Sequence, residues 1–315
     1  MTRDGKKIYG LDSLRGIGIA GIVLYHMFPG VFPGGFLGVP LFFVISGYLM
    51  FLTSEKSWQA KNFHIIPYYQ KRFRKIYPAL FVMVMGVCTY LTLFSKEELA
   101  GMRGEILSIF CGYNNWWQIH ENASYFTRLT NTSFFTHLWF LAVEIQIYLI
   151  WPFLFLLYKK GCQYLGKGKM PFLFFALGIC SCAWMFFLYT PGEDPSRVYY
   201  GTDTVSFSIF FGAFMGSLRK EGQPPRITEQ WYSIVFPLCL AITAVLFLSV
   251  DGQSAFVYQG GMLFASLIFM LMVSTVGSLK PTLKKHFNHP AWAFLGKKSY
   301  LIYLWHYPIL RLIKL

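Results

Sequence analysis

Charge is scarce in this sequence. Asp, Glu, Lys and Arg make up 13% of its 315 residues, against 55% hydrophobic residues. A water-soluble domain carries about 25% charged residues, so the composition excludes an ordinary soluble fold. The mean hydropathy of +0.45 points the same way. Acid is scarcest: 14 Asp and Glu stand against 28 Lys and Arg, a net charge of +14. That excess does not indicate a nucleic-acid partner. The cations cluster in short stretches between apolar segments, as the cytoplasmic loops of membrane proteins do. The six cysteines, Cys88, Cys111, Cys162, Cys180, Cys182 and Cys239, form no CxxC pair and no metal-ligand spacing. They read as small buried hydrophobes, and no metal is expected. The basic N-terminus is followed by an apolar segment without a small-residue cleavage site, so that segment is expected to stay as a helix. No internal repeat, low-complexity run or soluble domain is visible, and residues 1–315 read as one membrane domain.

What is present is apolar and aromatic. Aromatic residues reach 20%, with Trp and Tyr near segment ends as interfacial anchors. Ten apolar segments can be drawn: 11–28, 36–53, 76–94, 104–117, 138–158, 171–190, 205–218, 232–249, 256–277 and 297–314. The expected fold is an all-α polytopic membrane helix bundle in a cell membrane. Arg3, Lys6 and Lys7 put the N-terminus in the cytoplasm, and Lys56, Lys61, Lys71, Arg72, Arg74 and Lys75 do the same for the second connection. The fourth segment is short and ends in Asn114-Asn115-Trp116-Trp117. A full crossing there would put Lys159, Lys160, Lys167 and Lys169 outside, against the charge rule. A re-entrant or half helix keeps them inside, together with Arg219, Lys220, Arg226, Lys280, Lys284 and Lys285. That leaves nine full crossings, with 118–137 and 191–204 facing outward.

Two polar residues in the first segment stand out. Arg15 and His26 are eleven positions apart, so they project from nearly the same helix face. Their axial separation of about 16 Å is roughly half the hydrocarbon thickness. Polar groups inside a membrane are costly and mark functional sites by default. His26 reads as a core histidine hydrogen-bonded across helices, as a general base for a hydroxyl or thiol, or as the group that receives the acyl. Arg15 reads as an interfacial anchor or as a phosphate or carbonyl contact, and Asp12 as its partner or a helix cap. The neighbouring Gly16-Ile17-Gly18-Ile19-Ala20-Gly21 matches GxGxxG literally, but no strand precedes it. Close helix packing explains it better.

Other candidates are spread along the chain. Glu144 is a carboxylate in an otherwise apolar run, with His137 seven residues earlier. It is either an ion-pair partner, for example of Arg15, or the group that orients a catalytic histidine. Arg72, Arg74 and Lys75 precede Ile76-Tyr77-Pro78. They fit loop charge, or a clamp for a polyphosphate ligand. Ser46, in a Gly-rich stretch, is a packing serine or an acyl acceptor. Tyr199, Tyr200 and Asp203 form a polar outward patch for an acceptor sugar, or a helix start. His306 is read as a packing or supporting residue.

These blocks together resemble the acyltransferase-3 family of integral membrane acyltransferases. The residues that carry the resemblance are Arg15 with His26, the Gly34–Leu49 block, Arg72 to Lys75 before Ile-Tyr-Pro, Leu138 to Glu144, and Ser299 to His306. Arg197-Val198-Tyr199-Tyr200-Gly201-Thr202-Asp203-Thr204 looks like the peptidoglycan O-acetyltransferase branch of Gram-positive bacteria. Lys75 stands where the family has a second Arg, Pro40 where many members have Asp, and Val205 where that branch has Arg. The branch's outward SGNH-type domain is not seen. The resemblance implies acyl transfer, usually acetyl, from cytoplasmic acetyl-CoA or another acyl-CoA to an extracytoplasmic carbohydrate. An SGNH-type domain or a separate transferase is the implied protein partner. The rival class is a transporter or flippase of a lipid-linked glycan, its polar intramembrane residues lining a path.

Overall fold

The computed structural model describes residues 10–99, 101–126, 133–219, 229–287 and 289–313. Among these residues every regular element is helical and no strand occurs. In chain order the α-helices are α1 (Leu11–Met27), α2 (Gly38–Gln59), α3 (Ile65–Phe94), α4 (Met102–Phe110), α5 (Asn114–His120), α6 (Trp139–Tyr164), α7 (Pro171–Leu188), α8 (Ser196–Tyr200), α9 (Thr202–Val205), α10 (Phe207–Leu218), α11 (Glu229–Ser249), α12 (Met262–Thr275), α13 (Pro281–Phe287) and α14 (Pro290–Leu312).

Six helical stretches among the described residues are long and apolar enough to cross a bilayer. They are Gly35–Gln59, Ile65–Phe94, Thr136–Tyr164, Pro171–Leu188, Gln230–Ser249 and Val257–Ser278. Large apolar side chains on α3 (Phe81, Val82, Leu93, Phe94) and α7 (Phe172, Phe186, Phe187) face outward, as lipid-facing surfaces do. The other sequence segments take different forms. α1 has 17 residues and α10 has 12, short of the roughly 20 that a perpendicular crossing needs. α14 has 23 residues and carries Lys297, Lys298 and Arg311. The fourth segment is two short helices, α4 and α5, divided at Gly112, whose φ is 74°. A Cβ at Gly112 would lie 2.7 Å from Ile145 Cγ2, so both the backbone and the space call for glycine. Arg3, Lys6, Lys7, Lys220 and Arg226, used for orientation, lie outside the described residues.

The chain forms two compact units, 1–50 with 208–300 and 51–207 with 301–315, the division falling within α2, after the first residue of α10 and within α14. The first unit is built on close backbone approaches. Gly16 backs onto the Trp292 carbonyl and Gly296 onto the Asp12 carbonyl, seating α1 against the first part of α14. Gly47 meets the Ile209 carbonyl and Gly212 the Val44 carbonyl, seating the first part of α2 against α10. Without a hydrophobic drive between helices in lipid, small residues that admit such contacts hold the bundle. The glycine run of α1 is therefore a packing surface. α11 lies along α12, and Thr243 Oγ1 donates to the Cys239 carbonyl at 2.8 Å, satisfying a hydroxyl inside an apolar helix.

The second unit has an aromatic core. The Phe51 ring meets those of Tyr158 (5.2 Å), Phe155 (5.8 Å), Phe174 (5.8 Å) and Trp151 (6.4 Å). Trp151 Nε1 donates to Ser54 Oγ at 2.9 Å, so the buried indole keeps its hydrogen bond.

Candidate active site

In the first unit, α1 begins after Gly10, whose left-handed φ of 87° lets the chain turn into the helix. Asp12 Oδ1 lies 3.6 Å from Arg15 Nη1, so the ion pair expected for Asp12 is formed. Arg15 and His26 are both half-buried, while Leu14, Ile19 and Ile22 of the same helix enter the core. His26 occupies the last turn of α1. Its ring is 5.0 Å from that of Tyr25, which packs on Phe36 at 5.8 Å. Ser46 is half-buried in α2, one residue before the tightly packed Gly47.

In the second unit the three expected basic residues differ in setting. They do not lie in a loop, because α3 starts at Ile65 and encloses them. Pro67 is tolerated in the first turn, where its missing N–H is an orphan anyway, and the straight-chain cations continue the helix. Arg74 and Lys75 are exposed. Arg72 is built in. Its guanidinium lies 3.4 Å from the Tyr68 ring centroid and 5.1 Å from that of Tyr148, and its Nη1 donates to the Tyr68 carbonyl at 3.3 Å. Tyr148 donates its hydroxyl to Glu144 Oε1 at 3.1 Å, and the Glu144 charge reaches Arg72. Glu144 thus has a cationic neighbour within its own unit. Arg72 Nε and the Tyr68 hydroxyl are enclosed without a hydrogen-bond partner among the described residues.

His137 and His306 form a buried imidazole pair, with ring centroids 5.4 Å apart. His137 Nε2 lies 3.2 Å from the Leu304 carbonyl, and Tyr303 donates its hydroxyl to the His137 carbonyl. His306 Nδ1 is 2.7 Å from the Tyr303 carbonyl. His137 Nδ1 has no hydrogen-bond partner among the described residues.

The expected outward patch resolves into buried and partly open parts. Tyr199 and Tyr200 are fully buried against Trp139, at 4.6 and 5.5 Å between centroids. Asp203 remains partly open. Burial alone would raise its carboxyl, but Arg197 Nη1 and Nη2 at 3.1 and 2.8 Å and Trp184 Nε1 at 2.8 Å more than offset that and hold it below the usual carboxylate value.

Sequence reasoning passed over a polar network that ties α5, α6 and α9 together. Gln146 Nε2 donates to the Gly112 carbonyl (2.9 Å) and Asn115 Oδ1 (2.8 Å), while Thr202 Oγ1 and Trp116 Nε1 donate to Gln146 Oε1 at 2.6 and 3.1 Å. Asn115 Nδ2 donates to the Tyr200 carbonyl at 3.0 Å and to Thr202 Oγ1 at 2.9 Å. Glu105 was also passed over. It is buried in α4 and accepts from Gln118 Nε2 at 2.8 Å and Ser133 Oγ at 2.5 Å. Gln146 was visible as a polar break in an apolar run; Glu105 gave no pattern of its own.

Half-buried basic and imidazole groups on one short helix of the first unit, and a ring-stacked arginine near a carboxylate in an apolar helix of the second, are costly in lipid and mark candidate sites. The family model described as Acyltransferase domain matches residues 8–315, and the chain belongs to that acyltransferase-3 family. It is 35% identical over 317 aligned residues to peptidoglycan O-acetyltransferase OatA of Listeria monocytogenes, covering 99% of this chain and 51% of that one. It is 33% identical to the putative peptidoglycan O-acetyltransferase YrhL of Bacillus subtilis (98% and 49% covered) and 30% identical to a putative O-acetyltransferase of Staphylococcus aureus strain COL (96% and 50%). The chain thus spans about half the length of these relatives. No solved structure matches it.

Proposed function

We propose that this chain is a membrane O-acyltransferase that takes an acyl group, acetyl, from cytoplasmic acetyl-CoA and passes it toward a cell-wall carbohydrate outside. The observation that carries the reading is the Arg72 centre, a guanidinium held between two tyrosine rings beside Glu144. A pre-oriented planar cation suits the phosphates of a CoA thioester. The peptidoglycan O-acetyltransferase names of the relatives supply the acceptor class.

In this account the N-terminus is cytoplasmic, and Arg72, with exposed Arg74 and Lys75 in the same helix, binds the donor's phosphates. Arg15 contacts the pantetheine arm or its phosphate, and Glu144 keeps Arg72 in place through Tyr148. An acceptor hydroxyl attacks the thioester carbonyl. Its proton passes to His26 and then to the departing thiolate, so that a C–O bond replaces the C–S bond and CoA leaves as the thiol. The acceptor-side candidates are half-buried Ser46 in the first unit and, in the second, buried His137 with the Tyr199, Tyr200 and Asp203 region; an SGNH-type domain or separate transferase would complete delivery.

Proteoliposomes loaded with radiolabelled acetyl-CoA and given a soluble glycan outside test this. Label should appear on the glycan with matching CoA release inside. Glycan movement without CoA release would instead support a transporter.

A further inference from the structure

α2 closes on a turn that usually takes glycine. The Lys61 amide donates to the Trp58 carbonyl at 2.9 Å and the Asn62 amide to the Ser57 carbonyl at 2.8 Å, and Lys61 adopts φ 53°. A lysine in this left-handed position is less stable than a glycine would be. Beside the turn lies an open cleft of about 490 Å³ lined by Trp58, Gln59, Lys61 and Phe63. Trp58 and Lys61 are exposed.

From this cleft a continuous ladder of planes leads inward. The Trp58 and Phe63 centroids are 6.3 Å apart, and Phe63 and Tyr68 are again 6.3 Å apart. The Arg72 guanidinium follows at 3.4 Å from Tyr68, then Tyr148 at 5.1 Å, which donates to Glu144. Lys159 lies 5.7 Å from the Trp58 ring, but it is engaged with Glu55 and with the Phe155 and Tyr158 rings. Lys61 is the cation that lines the opening. The order along the ladder is therefore exposed aromatic wall, buried tyrosine, arginine, second tyrosine and carboxylate, with Lys61 lining the opening.

We infer that the Trp58–Phe63 cleft is the subsite for the nucleotide end of the acyl-CoA donor, with the adenine against Trp58 and Phe63, the 3′-phosphate on Lys61 and the diphosphate toward Arg72. The inference rests on acyl-CoA being the donor and assigns the part of it that is read at this surface. A purine offers a π face to stack and phosphates to pair, matching the cleft's two chemistries. A lipid headgroup offers the phosphate without the ring. Arg72 stands behind Tyr68 at the inner end of the ladder, where its charge favours a diphosphate placed toward it.

Equilibrium binding to the purified protein in nanodiscs, which needs no acceptor, tests the assignment. Wild type should bind CoA more tightly than 4′-phosphopantetheine, which lacks the nucleotide. Trp58→Leu should weaken CoA binding by about 5- to 100-fold, the range of one lost base stack, and leave 4′-phosphopantetheine unchanged. Lys61→Gln should weaken CoA but not 3′-dephospho-CoA, which checks the subsite even if Trp58→Leu folds poorly. Wild type that binds no CoA would overturn the donor reading itself. CoA binding no tighter than 4′-phosphopantetheine, or unchanged in both variants as for a tryptophan that only anchors in lipid, would overturn the cleft and leave the donor reading standing.

Discussion

The Arg72 guanidinium lies 3.4 Å from the ring centroid of Tyr68, one helical turn before it in α3. The i, i+4 spacing makes the two side chains neighbours on the helix surface. The stack fixes the plane of the cation before any ligand arrives, and such preorganisation lowers the entropy lost on binding.

Arg72→Lys keeps the charge but loses the planar fork and the stack. It should weaken CoA binding about 10-fold or more while lowering stability by about 1 kcal/mol or less. Isothermal titration and a thermal melt separate the two effects. Tyr68→Phe keeps the ring and removes a hydroxyl that has no partner among the described residues. It should leave CoA affinity unchanged, whereas Tyr68→Leu should behave like Arg72→Lys.

Gln146→Leu should lower stability by about 2–4 kcal/mol. The substitution strands Asn115, Thr202 and the Gly112 carbonyl together, and each unsatisfied buried polar group costs about 1–3 kcal/mol, less whatever the site relaxes. Thermal unfolding in detergent reads the loss. An unchanged melting temperature would mean that this network does not tie α5 and α9 to α6.

Gly112→Ala combines a left-handed backbone with a Cβ 2.7 Å from Ile145 Cγ2. The expected loss is about 1–3 kcal/mol. Gly166→Ala also sits at positive φ, 85°, but meets nothing within 4 Å. It should cost less in the same melt.

Asp203→Asn removes the carboxylate from the Arg197 fork. The folded carboxyl lies below its ordinary value of 3.8, so the stabilisation is present above that value and fades as pH falls through the lower folded one. The variant should melt lower than the parent at pH 7 and converge with it only once the pH falls below the folded carboxyl's own lowered value. A difference that persists at low pH would assign the effect to packing against Trp184.

The legible parts of this molecule were those written in one-dimensional chemistry. The spacing of Arg15 and His26, the glycines of α1 and the carboxylate in α6 stand out against apolar neighbours, and the helices formed around them. The number of crossings was less legible. Gly112 breaks the fourth segment through its φ and through contact with Ile145, which is far away in sequence. Arg72, Arg74 and Lys75 resembled a loop because charge usually marks loops, yet α3 carries them through more than two turns. Tyr199 and Tyr200 looked like a surface patch beside Asp203, but Trp139 from α6 encloses both rings. Partners of that kind, set by tertiary packing, leave no periodic trace in the chain.

The most direct test of the account measures CoA release from acetyl-CoA by the purified protein in nanodiscs supplied with a soluble glycan acceptor, for the parent and for His26→Ala. The account predicts release by the parent and a fall of about 100-fold or more in the variant, the lower end of what a general base contributes. Release at the parental rate by His26→Ala would contradict it.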